Sequence, residues 1–463
     1  MGYRRLVDTL AEGGVITCPD CAGGRLRTDP TGRRCGGCGR VYPERHGVVD
    51  FLEYRDDGGP AAAVPSPEVV EAIIRGTGLE DSPRIRRAVE EIYARTARRT
   101  GSAQQSAEIG DMLDRFGVGG LDGASAGPRP ATGTWERLRA RLPGAGAGVD
   151  LVYERHYIEP RLPAGARIHR NVRVRNTGRR PWSPAGSRAF RLGCRWLGEG
   201  RPPAAAGAAT AVPIVIEPGR AITLPVHIDV PAQPGPHRLR VLPFAGPAAR
   251  PVEDAALDVT VEVVAGLDAP AARVTVNDRT LSYAEDHATG QSMLREHVAT
   301  RYGERPIRIL EIGSGTHPQS PWATHGEVVN LDISAPMLEL GSLHYEQHAG
   351  RVAFLCCDAL RPPVADASFD GVVMFATLHH FAEPEALLRR SRRLLVDGGF
   401  VAVMCEPVNG ALDSPEVIRD LGKGIDEQVF SVDEYLAIFA SAGLEPVEVR
   451  HDPGSLKTIL RAC

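Results

Sequence analysis

The stretch Arg308-Ile309-Leu310-Glu311-Ile312-Gly313-Ser314-Gly315-Thr316 constrains this chain more than any other. It reads as a short buried strand running into a glycine turn. Gly313 and Gly315 carry no Cβ, so the backbone there can approach a ligand closely. A lone G-x-G is common by chance, but three further patterns follow. Val328-Val329-Asn330-Leu331-Asp332-Ile333-Ser334 is a second apolar strand, ending in an acid 17 residues beyond Gly315. Val352-Ala353-Phe354-Leu355-Cys356-Cys357-Asp358-Ala359 is a third, again ending in an acid. Phe369-Asp370-Gly371-Val372-Val373-Met374-Phe375 is a fourth, leading into Ala376-Thr377-Leu378-His379-His380. A helix is predicted over 387–395, stopped by Asp397-Gly398-Gly399, then a fifth strand over 400–405. Strands alternating with helices predict a parallel, doubly wound sheet.

In a βαβ nucleotide site, an acid at that distance accepts hydrogen bonds from ribose hydroxyls. The run 283–463 resembles class I S-adenosylmethionine-dependent methyltransferases, the broad group with small-molecule acceptors. Its turn is E-x-G-x-G, and the position three after Gly315 is Pro318. This departs from the G-x-G-x-x-G of dehydrogenases and favours S-adenosylmethionine over NAD. The resemblance implies a Rossmann-like domain over 280–463 with a seven-stranded sheet, whose last two strands, near 447–450 and 456–461, are antiparallel. It also implies residue roles. Gly313, Ser314 and Gly315 cradle the amino-acid end of the cofactor, and Glu311 orients that end directly or through the loop. Asp332 takes the ribose hydroxyls, and Ile333 and Met337 line the adenine. Asp358 accepts from the adenine amine with Ala359 beside it, and Phe375 completes the cofactor-binding set. For both aspartates, loop capping is the alternative. A helix over 283–297 lies beside the cofactor, and the stretch 425–431, before a helix over 432–442, lies near the acceptor pocket.

Methyl transfer is an in-line displacement at an activated sulfonium carbon, so positioning the two reactants is the protein's main task. His379 and His380 follow the fourth strand at the carboxyl edge, where open α/β sheets bind ligands. An imidazole there could deprotonate a hydroxyl or amine acceptor. These two are the catalytic candidates, with His317 and Glu406 as alternatives. No N-P-P-Y-like run follows the fourth strand, which removes support for amino-nitrogen methylation of bases or glutamine.

The nine cysteines are unevenly placed. Cys18-Pro19-Asp20-Cys21 and Cys35-Gly36-Gly37-Cys38 are two C-x-x-C knuckles separated by 13 residues. That spacing can close a tetrahedral, structural Cys₄ zinc site with no open coordination position. Gly23 and Gly39 permit the turns after each second thiolate. Residues 1–55 resemble the small zinc-ribbon protein that activates tRNA, rRNA and release-factor methyltransferases, which implies a docking or substrate-handling module. Cys356, Cys357 and Cys405 fall on predicted strands and read as small core residues.

Between the two ends, 56–65 reads as a linker. The pattern is helical from Ser66 to about Phe116, where Ser66-Pro67-Glu68 is a helix start. The region 66–142 is thus a helical connector, a lid being the less bland reading, and 117–133 is a flexible link. Over 150–265 short strands at 166–176, 189–197, 221–230, 237–242 and 257–264, with Pro/Gly turns and no helices, predict a β-sandwich. This part resembles immunoglobulin-like modules, some relatives of which bind sugars. Eleven arginines lie between Arg155 and Arg195. Arg173 and Arg175 alternate with Val172 and Val174, which assigns them to a solvent face or to an anion-binding surface.

Residues 301–463 carry 23 acids against 14 lysines and arginines, a balance that repels a phosphate backbone. A net charge of −4, 43% hydrophobic residues and no run of 18 apolar residues fit a multidomain globular chain without a membrane span. Without a signal-peptide pattern the cytoplasm is the default location. The leading expectation is O- or N-methylation of a small molecule, a natural-product intermediate or a sugar, phosphate-bearing acceptors included. RNA-base methylation with the zinc ribbon as reader, a non-enzymatic glycan- or protein-binding scaffold, and other uses of S-adenosylmethionine stay open.

Overall fold

A computed structural model describes residues 5–21, 24–52, 65–97, 149–198, 209–266, 274–276, 279–410, 412–422 and 424–463. Gly23, the expected linkers at 56–64 and 117–133, and the helical region beyond residue 97 lie outside them. The chain divides into two compact units: Met1–Gly127 with Ala272–Glu406 and Ile438–Cys463, and Pro128–Ala271 with Pro407–Ala437.

The first unit begins with α1 (Leu6–Glu12) and four short strands, β1 (Leu26–Asp29), β2 (Gly32–Cys35), β3 (Val41–Arg45) and β4 (Val48–Asp50), paired antiparallel in sequence order. So small a module buries few side chains. Its core is Leu6, Leu10, Ile16 and Tyr42. Arg33, 2% exposed, ties α1 to the strands through Asp8 and Glu44. Two helices follow, α2 (Pro67–Thr77) and α3 (Pro83–Ala97). Pro67 takes the first helical position, where its missing N–H costs nothing, and Gly78 ends α2 in the left-handed conformation.

The second unit holds β5 (Leu151–His156), β6 (Arg161–Pro163), β7 (Arg167–Asn176), β8 (Phe190–Leu197), β9 (Thr210–Ala211), β10 (Ala221–Asp229), β11 (Gly235–Ala245), β12 (Arg250–Pro251) and β13 (Leu257–Val264). One sheet runs β10-β7-β5 and the other β6-β13-β11-β8-β9, with β12 on β11. Val172, Val174, Ile222 and Leu224 of the first sheet share a core with Phe190, Leu192, Leu239, Val241 and Val261 of the second. This is a two-layer sandwich. Its surface corrects one expectation. Arg173 is not on a solvent face but 7% exposed, because residues 407–437 cover the outer side of β7 and β10. There Arg173 meets Asp426 and Glu154, and the buried Asn171 donates to Glu434. Arg175, also bonded to Glu154, remains partly exposed.

The rest of the first unit comprises β14 (Val274–Val276), α4 (Tyr283–Tyr302), β15 (Arg308–Ile312), β16 (Glu327–Asp332), α5 (Ala335–Leu343), β17 (Val352–Cys356), β18 (Phe369–Phe375), α6 (Pro384–Leu394), β19 (Leu395–Pro407), β20 (Leu444–Asp452) and β21 (Ser455–Ala462). The helix α7 (Pro415–Gly422) belongs to the second unit, and α8 (Val432–Ser441) starts there. The strand order is β4-β17-β16-β15-β18-β19-β21-β20-β14, so the sheet is built outward on both sides of β15 and β18. Ile309, Leu310, Val329, Val372, Val373, Ala402 and Val403 are each fully buried, as expected of parallel strands covered on both faces. The β20–β21 hairpin is antiparallel.

The expected seven strands are therefore part of a continuous 12-stranded sheet. β14 extends one edge. On the other, β4 pairs parallel with β17, Val48 opposite Phe354 and Asp50 opposite Cys356, and brings β3, β2 and β1 with it. A second seam joins Ile16 to Val364, and Leu6 N donates to Ala349 O at 2.7 Å. The fifth strand also starts earlier than expected, at Leu395, and runs through Gly398. No α-helix lies between β15 and β16.

Candidate active site

Strand register gathers the predicted residues at one edge. Ile312 stands opposite Leu331 on one side and Met374 on the other, so the turns after β15, β16 and β18 emerge together. Gly313 needs to be glycine on two counts. Its φ is +72°, and a Cβ would collide with Thr377. Gly315, at φ +51°, faces open space instead. Between them Ser314 is 6% exposed, and its Oγ has no hydrogen-bond partner. An orphaned buried hydroxyl beside an open glycine cradle fits a polar ligand group held against the backbone.

The acids surround this turn. Glu311, 1% exposed, accepts from Gln319 N and Ser320 N, so it acts on the loop rather than standing open. Burial pushes its carboxyl up to about 7 against the pull of those amides. Asp332 Oδ2 accepts from Gly315 N at 2.9 Å and Oδ1 from Ser334 N at 2.9 Å. Burial raises its pKa as well. A carboxylate has about four acceptor positions, so capping both loops leaves Asp332 capacity for hydroxyls. Asp358 caps Leu360 N through Oδ1 at 2.9 Å and stays partly exposed, beside the buried Ala359. Ile333 and Leu360 are 39% and 38% exposed, unusual for aliphatic side chains on this edge. Met337 packs toward α2 and α3.

On the other side of the turn, Phe375 ends β18 and lies 6.1 Å, ring to ring, from His287 of α4. His287 Nδ1 contacts Tyr283 O at 3.1 Å, and burial lowers its pKa. Two non-glycine residues with left-handed backbone sit here, Ala376 at φ +45° and Cys405 at φ +58°. Such strain costs about 1–3 kcal/mol per residue and clusters at functional sites. Cys405 is buried, as expected, but its backbone makes it more than filler.

The two histidine candidates differ. His379, 6% exposed, places Nδ1 at 2.8 Å from Glu406 Oε2. Glu406 is fully buried and also accepts from the amides of Thr377, Leu378 and His379. Burial pushes its carboxyl up, but His379 and these amides outweigh that and hold it below the ordinary value. An ionised Glu406 requires N–H at Nδ1, which makes Nε2 the proton-accepting nitrogen of a neutral His379. Glu406 therefore orients His379 and is not itself placed as the base. His380 is partly exposed, its ring 3.9 Å from that of His379. His317 is engaged at both nitrogens, by Thr316 and by Thr77.

The Cys₄ residues also converge. Sulfurs of Cys18, Cys21, Cys35 and Cys38 all lie within 4.8 Å of one another. Burial opposes a charged Cys35, yet the amides of Gly37 and Cys38 bring its pKa down to about 6. A Cβ on Gly24 would collide with Cys35 Sγ and come within 2.7 Å of Cys21 Sγ. The donor set suits zinc, with Cys21, Cys35 and Gly24 packed as tightly as a metal core requires.

The sequence placed the stretch from Tyr283 to His287 on a helix beside the cofactor without singling out His287, and it gave no sign of the packing at Gly24 or of the bond between Glu406 and His379.

Residues 310–403 match the family described as methyltransferase domain. The match covers about a fifth of the chain, and the curated relatives that the chain resembles carry methyltransferase names as well. Among those relatives, 27-O-demethylrifamycin SV methyltransferase of Amycolatopsis mediterranei is 34% identical over 174 residues, 34% of this chain and 64% of its own length. Demethylmenaquinone methyltransferase of Thermus thermophilus is 31% identical over 29% of this chain and 61% of its own length. The chain thus spans about three fifths of these relatives. Among solved structures, 1,6-didemethyltoxoflavin-N1-methyltransferase of Burkholderia thailandensis, with its substrate and S-adenosylhomocysteine, is 19% identical with a TM-score of 0.32, over 38% of this chain and 78% of that one. The complex of the Haloferax volcanii Trm112 methyltransferase activator with a methyltransferase is 20% identical with a TM-score of 0.30, over 38% and 93%.

Proposed function

We propose that this chain transfers the methyl group of S-adenosylmethionine to an oxygen or nitrogen of a small-molecule acceptor. The observation that carries this reading is the His379–Glu406 pair, fixed at the carboxyl edge beside the glycine turn. Bound S-adenosylmethionine supplies an activated methyl group. Gly313, Ser314 and Gly315 hold its amino-acid end, and Glu311 keeps the following loop in place. Asp332 takes the ribose hydroxyls, Ile333 and Met337 flank the adenine, Asp358 accepts from its amine beside Ala359, and Phe375 completes the cofactor-binding set. His379 removes the acceptor proton at Nε2, while Glu406 holds the ring and offsets the imidazolium charge that forms. His380 borders the entry. The relatives, whose names are those of rifamycin and menaquinone methyltransferases, favour small molecules over RNA.

In the same reading, Cys18, Cys21, Cys35 and Cys38 hold a structural zinc ion, and the ribbon stabilises the sheet that carries the site. The sandwich is an immunoglobulin-like module. Its two buried arginines, Arg170 and Arg173, are used inside the protein, on Glu159 and on Asp426, which weakens the case for a phosphate- or sugar-binding face.

Calorimetric titration of the zinc-loaded chain with S-adenosylmethionine and S-adenosylhomocysteine tests the cofactor site, with micromolar binding expected. Release of S-adenosylhomocysteine is then followed with a panel of phenols, sugars and amines, and separately with RNA. No binding of either compound, or turnover on RNA alone, would sink the proposal.

A further inference from the structure

The crossover from β15 to β16 spans 14 residues, 313–326, and contains only a 3-10 turn at Ser320–Trp322. Parallel neighbours are usually joined through an α-helix whose N-terminal amides back the glycine turn. Here side chains from other elements hold it. Glu311 grips the loop at Gln319 and Ser320, Asp332 grips Gly315, and Gln291 of α4 reaches Gln319.

The remaining anchor comes from far away in sequence. His317 Nδ1 lies 2.7 Å from Thr316 Oγ1, and its Nε2 lies 3.2 Å from the carbonyl of Thr77, the last residue of α2. The last carbonyls of a helix lack partners within it. A carbonyl can only accept, so Nε2 carries the proton and Nδ1 receives the Thr316 hydroxyl. One ring thereby links the end of α2 to the glycine turn. The His344 ring, just past α5, lies 5.9 Å from that of His317 and faces the same carbonyl.

The hairpin behind this contact is firmly seated. Val70, Ile73, Ile74, Val89, Ile92 and Tyr93 pack on Leu340 and Leu343 of α5, with Met337 at the margin. Arg95 pairs with Glu339, which is 2% exposed. The same two helices thus bear on the turn through His317 and on the adenine side through Met337.

We propose that α2 and α3 form a clamp for the cofactor loop, standing in for the missing crossover helix, and that His317 is the positioning residue that couples them. This rests on the cofactor reading above. The coupling runs through equilibrium binding and is therefore reciprocal: the hairpin raises cofactor affinity, and bound cofactor steadies the hairpin.

The test uses the full, zinc-loaded chain with S-adenosylhomocysteine as probe. His317→Ala should weaken its binding about tenfold while the unfolding midpoint moves by only a few degrees. His317→Gln, which can still donate to Thr77 O, should restore most of the affinity. In the wild-type chain, S-adenosylhomocysteine should slow amide exchange at residues 74–79 about threefold or more, and His317→Ala should abolish that effect. Unchanged affinity in His317→Ala, or exchange at 74–79 indifferent to the probe in the wild-type chain, overturns the clamp. Asp332→Ala separates the two claims. If the wild-type chain does not bind the probe, or Asp332→Ala binds as well as wild type, the cofactor assignment itself fails.

Discussion

Arg173 on β7 meets the carboxylate of Asp426 in a forked pair, 2.9 Å from Nη1 and 2.8 Å from Nη2. The two residues are 253 positions apart. The pair is one of several bonds by which the sandwich holds the segment 407–437. Thr223 Oγ1 donates to Gln428, Asn171 to Glu434, and Leu412, Leu421 and Val429 join the sandwich core. The second unit is thus assembled from two separate stretches of chain.

Removing one partner of this pair should loosen that assembly. Breaking a buried pair costs about 3–5 kcal/mol, less where one partner is partly exposed. Asp426 is a quarter exposed and Glu154 remains beside Arg173, so Asp426→Ala should cost about 2 kcal/mol. Denaturant unfolding measures this. A variant as stable as wild type would mean that the segment is held by its apolar contacts alone.

His379→Ala should reduce methyl transfer by about 10²–10⁴-fold, the usual contribution of a positioned base. Affinity for S-adenosylhomocysteine should stay within about threefold, because the residue serves the acceptor. Turnover and calorimetry on the same preparation decide it. Unchanged turnover would leave positioning alone as the mechanism.

Gly24→Ala should expel the zinc, since its Cβ would occupy the space of the Cys35 sulfur. Because β4 is hydrogen-bonded to β17, the loss should spread into the methyltransferase sheet. Metal content and a thermal scan would show both. Loss of metal with an unchanged transition would make the ribbon an independent module.

One part of the stability should be lost as the medium becomes less acidic. Glu311 and Glu434 have carboxyl groups raised to about 7, chiefly by burial, from an ordinary value of 4.5. The folded chain keeps protons that unfolded glutamates have released. This stabilisation is complete below pH 4.5 and is lost as pH rises through 7. Glu406 works in the opposite sense, contributing above its ordinary value and failing only in acid. Buried histidines held below their ordinary value, His46, His169, His287 and His344 among them, act in the opposite sense over the same range, so the glutamates are read as a difference between variants. Between pH 5 and 8 the midpoint of Glu434→Gln should fall less, or rise more, than that of the wild type. Parallel profiles would contradict the account.

Periodic and local signals were legible from sequence. The strand over 257–264 coincides with β13, the paired alternation of β7 and β10 with a sandwich core, and the glycine turn with the end of β15. Unread were the features set by distant contacts. Nothing in Val172-Arg173-Val174 tells that a segment about 250 residues on will cover the arginine, and alternation alone pointed to solvent. Glu406 looked like a possible base because its strand position is visible and its four hydrogen bonds are not. The short crossover after Gly315 lacks helical periodicity, but only the structure shows what replaces the helix. Of the Cys₄ knuckles the spacing told which four sulfurs converge, while the continuation of β4 into the large sheet left no trace in its three residues.

That continuation has a consequence for synthesis. β4 leaves the ribosome about 300 residues before β17, its partner. At about 5–20 residues per second the wait is on the order of 15–60 s. Throughout it, Val48-Val49-Asp50 is an unpaired apolar strand edge, the kind that invites pairing with other chains. On the zinc reading proposed above, a metal-closed ribbon folds at once from local residues and keeps that strand short, attached and in register until the sheet arrives. Zinc supply during translation, rather than in the finished protein, is then where a shortage would first be felt.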